Sequence, residues 1–91
     1  MAAQLSQLIN EFLEHLEIEK NRSRKTVRNY KFYLERFSAW AKNPLPEQIN
    51  LEMVRQYRLY LNRLNDRFGT PLKKNTQNYH LIALRAFLKY L

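Results

Sequence analysis

The segment from residue 21 to residue 37, NRSRKTVRNYKFYLERF, contains the clearest helical pattern of the chain. Its apolar face consists of Val27, Tyr30, Leu34 and Phe37, at the three- and four-residue intervals of a helix. Four cationic side chains stand among residues 21–28, at the start of this helix. The first turn of a helix favours Asp or Glu, because the macrodipole is positive there. A basic first turn therefore indicates an anionic partner outside the chain.

Charge is strongly divided along the chain. Residues 1–19 contain four glutamates and neither lysine nor arginine, whereas residues 20–91 contain all 16 cations against four acids. The formal net charge is +8. A surface this asymmetric projects a strong positive field from part of the molecule. Nucleic acid is the leading partner, and an anionic membrane or an acidic protein is the alternative.

Composition excludes several classes of protein. The 91 residues make one small domain, and the absence of cysteine excludes disulfides and thiolate zinc sites, which fits a cytoplasmic location. No apolar run approaches the roughly 18 residues of a membrane span, and no signal-peptide pattern opens the chain. There is no glycine-rich phosphate loop, Ser–His–Asp set or convincing carboxylate pair. The sequence therefore predicts neither cofactor, metal site nor catalytic residue.

Amphipathic patterns predict four helices in a compact all-α bundle. Ser23 and Asn50 are predicted N-caps, and the second helix is predicted from Arg24 to Ala41. The segments KNPLPEQ (42–48) and RFGTPLKK (67–74) break the chain with its prolines and its one glycine. The other apolar stripes are Leu5, Leu8, Ile9, Phe12 and Leu16; Val54, Tyr57, Leu61 and Leu64; and Leu81, Leu84, Phe87 or Leu88, and Leu91.

The last helix is still periodic at Leu91, with no Gly, Asn or Pro to close it. We therefore expect residues 1–91 to be one domain cut from a longer protein, or a module whose final helix continues into a linker.

Two helices combine cations with amides on one side. At about 100° per residue, Lys25, Asn29, Phe32 and Arg36 form one stripe, with Arg24 and Arg28 beside it. A second stripe on the fourth helix contains Lys74, Asn78, Arg85 and Lys89, with Gln77 beside it and Lys73 just before. Cations neutralise phosphates, and Asn or Gln can bind adenine edges in the major groove. For any single cation, the solvated side of a helix is the better explanation. Two such stripes with few acids nearby favour nucleic acid.

The remaining polar and aromatic residues mostly have structural explanations. His15 is expected to be exposed, and His80 has no Cys or carboxylate near it in sequence for a zinc site. Phe32, Tyr33 and Tyr60 either cover a seam between helices or lie where a partner packs. A basic helical module that docks an acidic or helical protein therefore stays open as an alternative to nucleic-acid binding. A free-standing helix-turn-helix regulator is disfavoured, because no short turn joins two helices at the required spacing.

The pattern Ser23-x-x-Thr26-x-x-x-Tyr30-x-x-x-Leu34-x-x-Phe37 resembles the second-helix signature of the core-binding domain of tyrosine recombinases and phage integrases. The segment HLIALRAFLKYL (80–91) resembles the final helix of that domain, and LINEFLEHLEIEKNRSRKT (8–26) resembles the opening of the Xer-type branch. The resemblance covers nearly the whole chain.

This resemblance implies a four-helix, SAM-like bundle that binds double-stranded DNA as one half of a C-shaped clamp. The other half would be the catalytic domain of the same chain, and further recombinase protomers would join in a DNA-bound synapse. The second and fourth helices would lie at the major groove. By position, the implied DNA-binding residues are Arg24, Lys25, Thr26, Arg28, Asn29 and Arg36 on the second helix, and Lys74, Asn75, Gln77, Asn78 and Arg85 on the fourth.

The catalytic residues of the family belong to its other domain. His80 is followed three residues later by Ala83, not by the Arg of the family's His-x-x-Arg motif, and Tyr90 lies in the terminal helix. The resemblance therefore implies that this chain binds DNA and cuts none.

Overall fold

The computed structural model describes residues 4–91, and across that range it confirms an all-α bundle. Four helices follow one another along the chain: α1 (Leu5–Ile18), α2 (Arg24–Trp40), α3 (Leu51–Arg63) and α4 (Lys74–Tyr90). A single 3₁₀ turn, Pro46–Gln48, occupies part of the predicted break before α3. Helix α2 ends one residue before the predicted limit, with Ala41 as its C-cap. None of the helices in the described part is long and apolar enough to cross a membrane.

The core lies where the apolar faces of all four helices meet. Helix α1 packs chiefly on α2, and α4 packs on α2, α3 and α1. The largest fully buried side chains are Tyr57, Phe37 and Phe87, which identifies Phe87 rather than Leu88 as the core member of its stripe. The buried apolar residues are Leu5, Ile9, Phe12, Leu13, Leu16, Leu34, Phe37, Tyr57, Leu61, Leu81, Ala83, Leu84 and Phe87.

Two expectations about burial are wrong. Leu91, predicted in the fourth apolar stripe, is 49% exposed, because it follows the last turn of α4 and lines an open groove beside Ile49 and Val54. His15, expected to be exposed, is half-buried because its ring packs 5.0 Å from that of Tyr90. The core also includes Leu13 and Ala83, which the stripes omitted.

Side-chain caps define where α2 and α3 begin. The Ser23 hydroxyl accepts a hydrogen bond from the Thr26 amide at 3.2 Å, and Asn50 Oδ1 accepts one from the Met53 amide at 2.8 Å. Both predicted N-caps are confirmed. Each cap satisfies an amide that the helix itself leaves without a partner.

The loop between α3 and α4 is held by its own hydrogen bonds. Asp66 Oδ1 accepts from the backbone amides of Phe68 and Thr70 at 2.8 and 2.9 Å, and the Asp66 amide donates to the Thr70 carbonyl at 2.7 Å. Gly69 adopts a φ of +78°, in the left-handed region that glycine occupies without strain. These contacts fix where α4 starts relative to α3.

Candidate nucleic-acid interface

The predicted stripe on α2 lies beside α4. Thr26 and Asn29 line a groove whose opposite wall is formed by Tyr79 and Ile82 of α4. We call this the α2–α4 groove; it has a volume of about 430 Å³. Lys25 is exposed one turn before Asn29 and lies within about 40° of it around the helix axis. The groove brings the amide-and-cation side of α2 next to the exposed side of α4.

The exposed ridge of α4 carries the second predicted stripe. Lys74, Asn78, Arg85 and Lys89 are all exposed along it, and Asn75 is exposed next to Lys74. On the side away from α2, the ridge borders a second groove of about 450 Å³, which we call the α3–α4 groove. Its polar and charged lining residues are Arg55, Arg58, Asn62, Lys74, Gln77 and Asn78.

The structure separates Arg24 and Arg28 from the α2–α4 groove. Both are exposed, but around the helix axis they stand about 100° and 60° from Lys25, on the side away from α4. Of the sequence-predicted residues on α2, Lys25, Thr26, Asn29 and Arg36 therefore share the α4-facing side.

Several predicted site residues already have partners within the protein. The Lys74 ammonium donates to Asn62 Oδ1 at 3.2 Å, and the Gln77 amide nitrogen donates to the Leu72 carbonyl at 2.9 Å. The Thr26 hydroxyl oxygen accepts from the Ser23 hydroxyl at 3.0 Å. These contacts hold the side chains in place, and each still leaves a donor or acceptor free for a ligand.

His80 is a residue at this site whose role the sequence did not reveal. It is buried, and its Nδ1 lies 2.7 Å from the Thr76 carbonyl. Since a carbonyl only accepts, Nδ1 must donate, and Nε2 is left to accept from Arg36 Nη1 at 3.4 Å. The Tyr33 ring packs 4.5 Å from the imidazole, and the Arg36 guanidinium lies 4.9 Å from the centre of the Phe32 ring. His80 thus joins α4 to α2 and holds Arg36 in position.

Burial is the main cause that lowers the pKa of His80, and the nearby Arg36 charge lowers it further. The hydrogen bond to the Thr76 carbonyl acts in the opposite direction. A lowered pKa keeps the imidazole neutral at pH 7, which is the form that can accept from Arg36.

The cations that α2 and α4 contribute to the interface have no carboxylate partner among the described residues, whereas Arg55 of α3 is paired with Glu52. Within residues 4–91 the ion pairs are Lys31–Glu35 at 4.0 Å and Arg55–Glu52 at 2.7 Å. A side-chain hydrogen bond from Arg55, and to a smaller extent one from Gln56, lowers the pKa of Glu52 to about 2. The first turns of α2 and α4 contain no acid, whereas that of α3 contains Glu52. The positive field of the α2 and α4 face is therefore not neutralised from within the described chain.

Sequence reasoning missed the contribution of α3. Arg55, Arg58 and Asn62 recur at three- and four-residue intervals, so they fall within about 60° around the helix axis. That spacing was a visible signal. What could not be read from it is that this side of α3 faces Lys74 and Asn78 across a groove.

No group of three or more His, Cys, Asp or Glu side chains in the described part of the chain could hold a metal ion. The face of α2 and α4 instead combines cations, amides and exposed apolar side chains.

Comparison with known proteins identifies the family. Residues 9–91 match the family described as phage integrase, N-terminal SAM-like domain. The tyrosine recombinase XerC of Pelobacter propionicus is 32% identical to this chain over 87 residues, which are 96% of the chain and 28% of that protein. No solved structure gives a significant match. The chain belongs to the phage integrase family, as a Xer-like N-terminal SAM-like domain of the tyrosine recombinases. It spans about 28% of the length of the relative it matches.

Proposed function

We propose that this domain binds double-stranded DNA as the N-terminal clamp half of a site-specific tyrosine recombinase. The observation that carries the proposal is the α2–α4 groove, where Thr26 and Asn29 face Tyr79 and Ile82. Because of this packing, the amide-and-cation sides of two helices occupy one face. Duplex DNA needs such a surface, since cations neutralise phosphates while amides reach base edges.

The roles of the residues follow from their chemistry. Lys25, Arg85 and Lys89 are exposed on this face and would contact phosphates. Asn29 and Asn78 are exposed amides, suited to bidentate hydrogen bonds with an adenine edge in the major groove. Arg58, across the α3–α4 groove, would extend the phosphate contacts.

Arg24, Arg28 and Asn75 would contact the DNA backbone at the edges of this surface. The first turn of α2 then has a simple explanation: a phosphate placed there would meet both the lysine and arginine charges and the positive end of the helix.

The wider activity is proposed from the family. The complete protein would break and rejoin DNA strands at a recombination site, using a catalytic domain outside residues 4–91, and would act with other protomers in a synapse. We assign the protein to the cytoplasm, where such DNA is found. Whether it integrates phage DNA or resolves chromosome dimers depends on the target site.

The test is salt-dependent binding to a labelled duplex of about 25 base pairs, measured by fluorescence anisotropy. Contact with four to six phosphates predicts a slope of log K against log salt concentration of about −4 to −5. Lys25→Glu should weaken binding at least roughly tenfold near 0.1 M salt, since it removes one phosphate contact and adds repulsion.

Lys31→Glu is the matched control, because Lys31 lies on the same helix but on the side away from α4, and the change in net charge is the same. It should bind almost as well as wild type. Equal loss in both variants would place the interface elsewhere, and binding without salt dependence would refute a DNA-phosphate surface.

A protein-docking module is the second candidate, and one observation favours it: the Phe32 side chain is exposed. Tyr33 and Tyr60, named with it as alternatives, are partly buried against the core. Size-exclusion chromatography separates the two candidates. Self-association that added duplex leaves unchanged would support docking; a shift in elution only with DNA would support the clamp.

A further inference from the structure

The α2–α4 groove contains apolar surface that phosphate contacts do not explain. Tyr79 is 51% exposed and Ile82 is 49% exposed, and both line the groove on its α4 side. The exposed part of an isoleucine side chain contributes no hydrophobic stabilisation to the fold, because it remains in contact with water. The groove has a mixed lining: Thr26 and Asn29 lie on the α2 wall together with the rings of Tyr30 and Tyr33, and Tyr79 and the aliphatic Ile82 form the α4 wall.

This mixture matches one feature of the major groove. An A·T pair presents the N7 acceptor and N6 donor of adenine beside the O4 acceptor and 5-methyl group of thymine. An asparagine amide suits the adenine, and an apolar side chain suits the methyl group. A G·C pair presents no methyl group, and its guanine edge offers two acceptors that favour arginine or lysine.

The spacing on α4 also fits. Asn78 and Ile82 are four residues apart, so their side chains are neighbours on one side of the helix, about 5–6 Å apart at Cβ. Stacked base pairs are about 3.4 Å apart. An amide at position 78 and an aliphatic side chain at position 82 can therefore meet the same pair or the adjacent one.

We propose that Ile82, supported by Tyr79, contacts the 5-methyl group of a thymine next to an adenine held by Asn78 or Asn29. Ile82 is then a specificity-determining residue that reads base identity through methyl contact alone. The inference rests on the proposed DNA-binding function and adds to it a defined base-pair preference.

The experiment removes only the methyl group. Duplexes enriched from a random library by the wild-type domain define the preferred site, and each thymine in it is then replaced by deoxyuridine, which pairs identically. At one or two positions we expect wild-type affinity to fall about three- to tenfold. Ile82→Ala should lose a similar factor on the thymine site and show no further loss with deoxyuridine at those positions.

Ile18→Ala is the matched control, since Ile18 is 74% exposed at the end of α1, outside the groove. It should keep the full deoxyuridine effect. Both substitutions remove exposed side chains, so thermal melting should confirm that each variant folds. Replacing cytosines of the site by 5-methylcytosine tests the other source of such a methyl group, and we expect no gain in affinity.

The experiment distinguishes failure of the proposed DNA-binding function from failure of the methyl contact. A wild-type domain that enriches no duplex and shows no salt-dependent binding overturns the proposed function and this inference together. A domain that binds a defined site with equal affinity for thymine and deoxyuridine at every position overturns the methyl contact alone. So does an Ile82→Ala variant that keeps the full deoxyuridine effect.

Discussion

Acidification should destabilise the folded domain through His80. In the folded protein, burial and the Arg36 charge lower the pKa of this imidazole. In the unfolded chain a histidine takes up its proton near pH 6.5. Below that pH the unfolded state binds more protons than the folded state, so stability falls as the pH decreases towards the folded-state pKa. Above the unfolded value, the full stability is present.

The size of the effect follows from proton linkage. An imidazole that stays neutral in the folded protein costs at most about 1.4 kcal/mol at pH 5.5 and about 0.1 kcal/mol at pH 7.5. For a domain of this size, 1 kcal/mol corresponds to roughly 4–8 °C in melting temperature. The upper limit of the expected drop between the two pH values is therefore roughly 5–10 °C.

Thermal unfolding followed by circular dichroism at pH 7.5, 6.5 and 5.5 measures this drop. Carboxylates ordinarily titrate near pH 4, below the range used. His80→Leu removes the titrating group and should flatten the pH dependence, whatever its own stability. His15→Gln removes the other histidine of the chain and should leave the drop in place. A wild-type melting temperature that does not change with pH, or an equal drop in His80→Leu, would refute the reasoning.

Three further substitutions test separate features of the fold. Among residues 4–91 the buried Tyr57 hydroxyl has no hydrogen-bond partner. Tyr57→Phe should therefore leave the free energy of unfolding unchanged or raise it by up to about 1 kcal/mol in urea titrations; a clear loss would reveal a partner for the hydroxyl. Asn50→Ala removes the cap at the start of α3 and should cost about 1 kcal/mol, whereas Asn50→Gly should cost only a few tenths; equal costs would argue against the cap. Asp66→Ala removes two hydrogen bonds to loop amides and should cost about 1–2 kcal/mol, and an unchanged denaturation midpoint would show that the loop does not depend on them.

Local signals in the sequence were sufficient for the helices. The apolar stripes and the caps at Ser23 and Asn50 depend on interactions between residues a few positions apart. Whether a helix forms there, and where it begins, therefore depends little on the rest of the chain. The same holds for the chain breaks at the prolines, one of which supports a 3₁₀ turn. The four-helix bundle follows from these signals together with the length of the chain.

The helical pattern of the sequence did not predict the burial of every residue. Leu91 continues the period of α4 but lies in an open groove beside Ile49 and Val54 and stays half exposed, whereas His80 is polar and yet buried. The burial of His80 is decided by Tyr33 and Arg36, which come from a helix more than 40 residues earlier in the chain. Helical periodicity shows which side of a helix is apolar, but it does not show what covers that side.

The candidate site, too, was predicted only in part from the sequence. The stripe of Lys25 and Asn29 was visible in the sequence, because it lies within one helix. The grooves on either side of α4 were not, since each is formed by residues of two helices. Ile82 was assigned to no stripe in the sequence. Its proposed contact with a thymine methyl group is argued from its position opposite Asn29 in the α2–α4 groove.

The uneven charge along the chain has a consequence for how the domain would approach its partner. Helix α1 carries Glu11, Glu14 and Glu17 and no lysine or arginine, while the cations of the α2 and α4 face have no carboxylate partner within residues 4–91. Such a molecule has a permanent electric dipole. The field of a nearby polyanion therefore exerts a torque on it before the two molecules make contact. That torque favours an approach with the cationic face of α2 and α4 towards the polyanion, so a larger share of collisions would begin with that face inward.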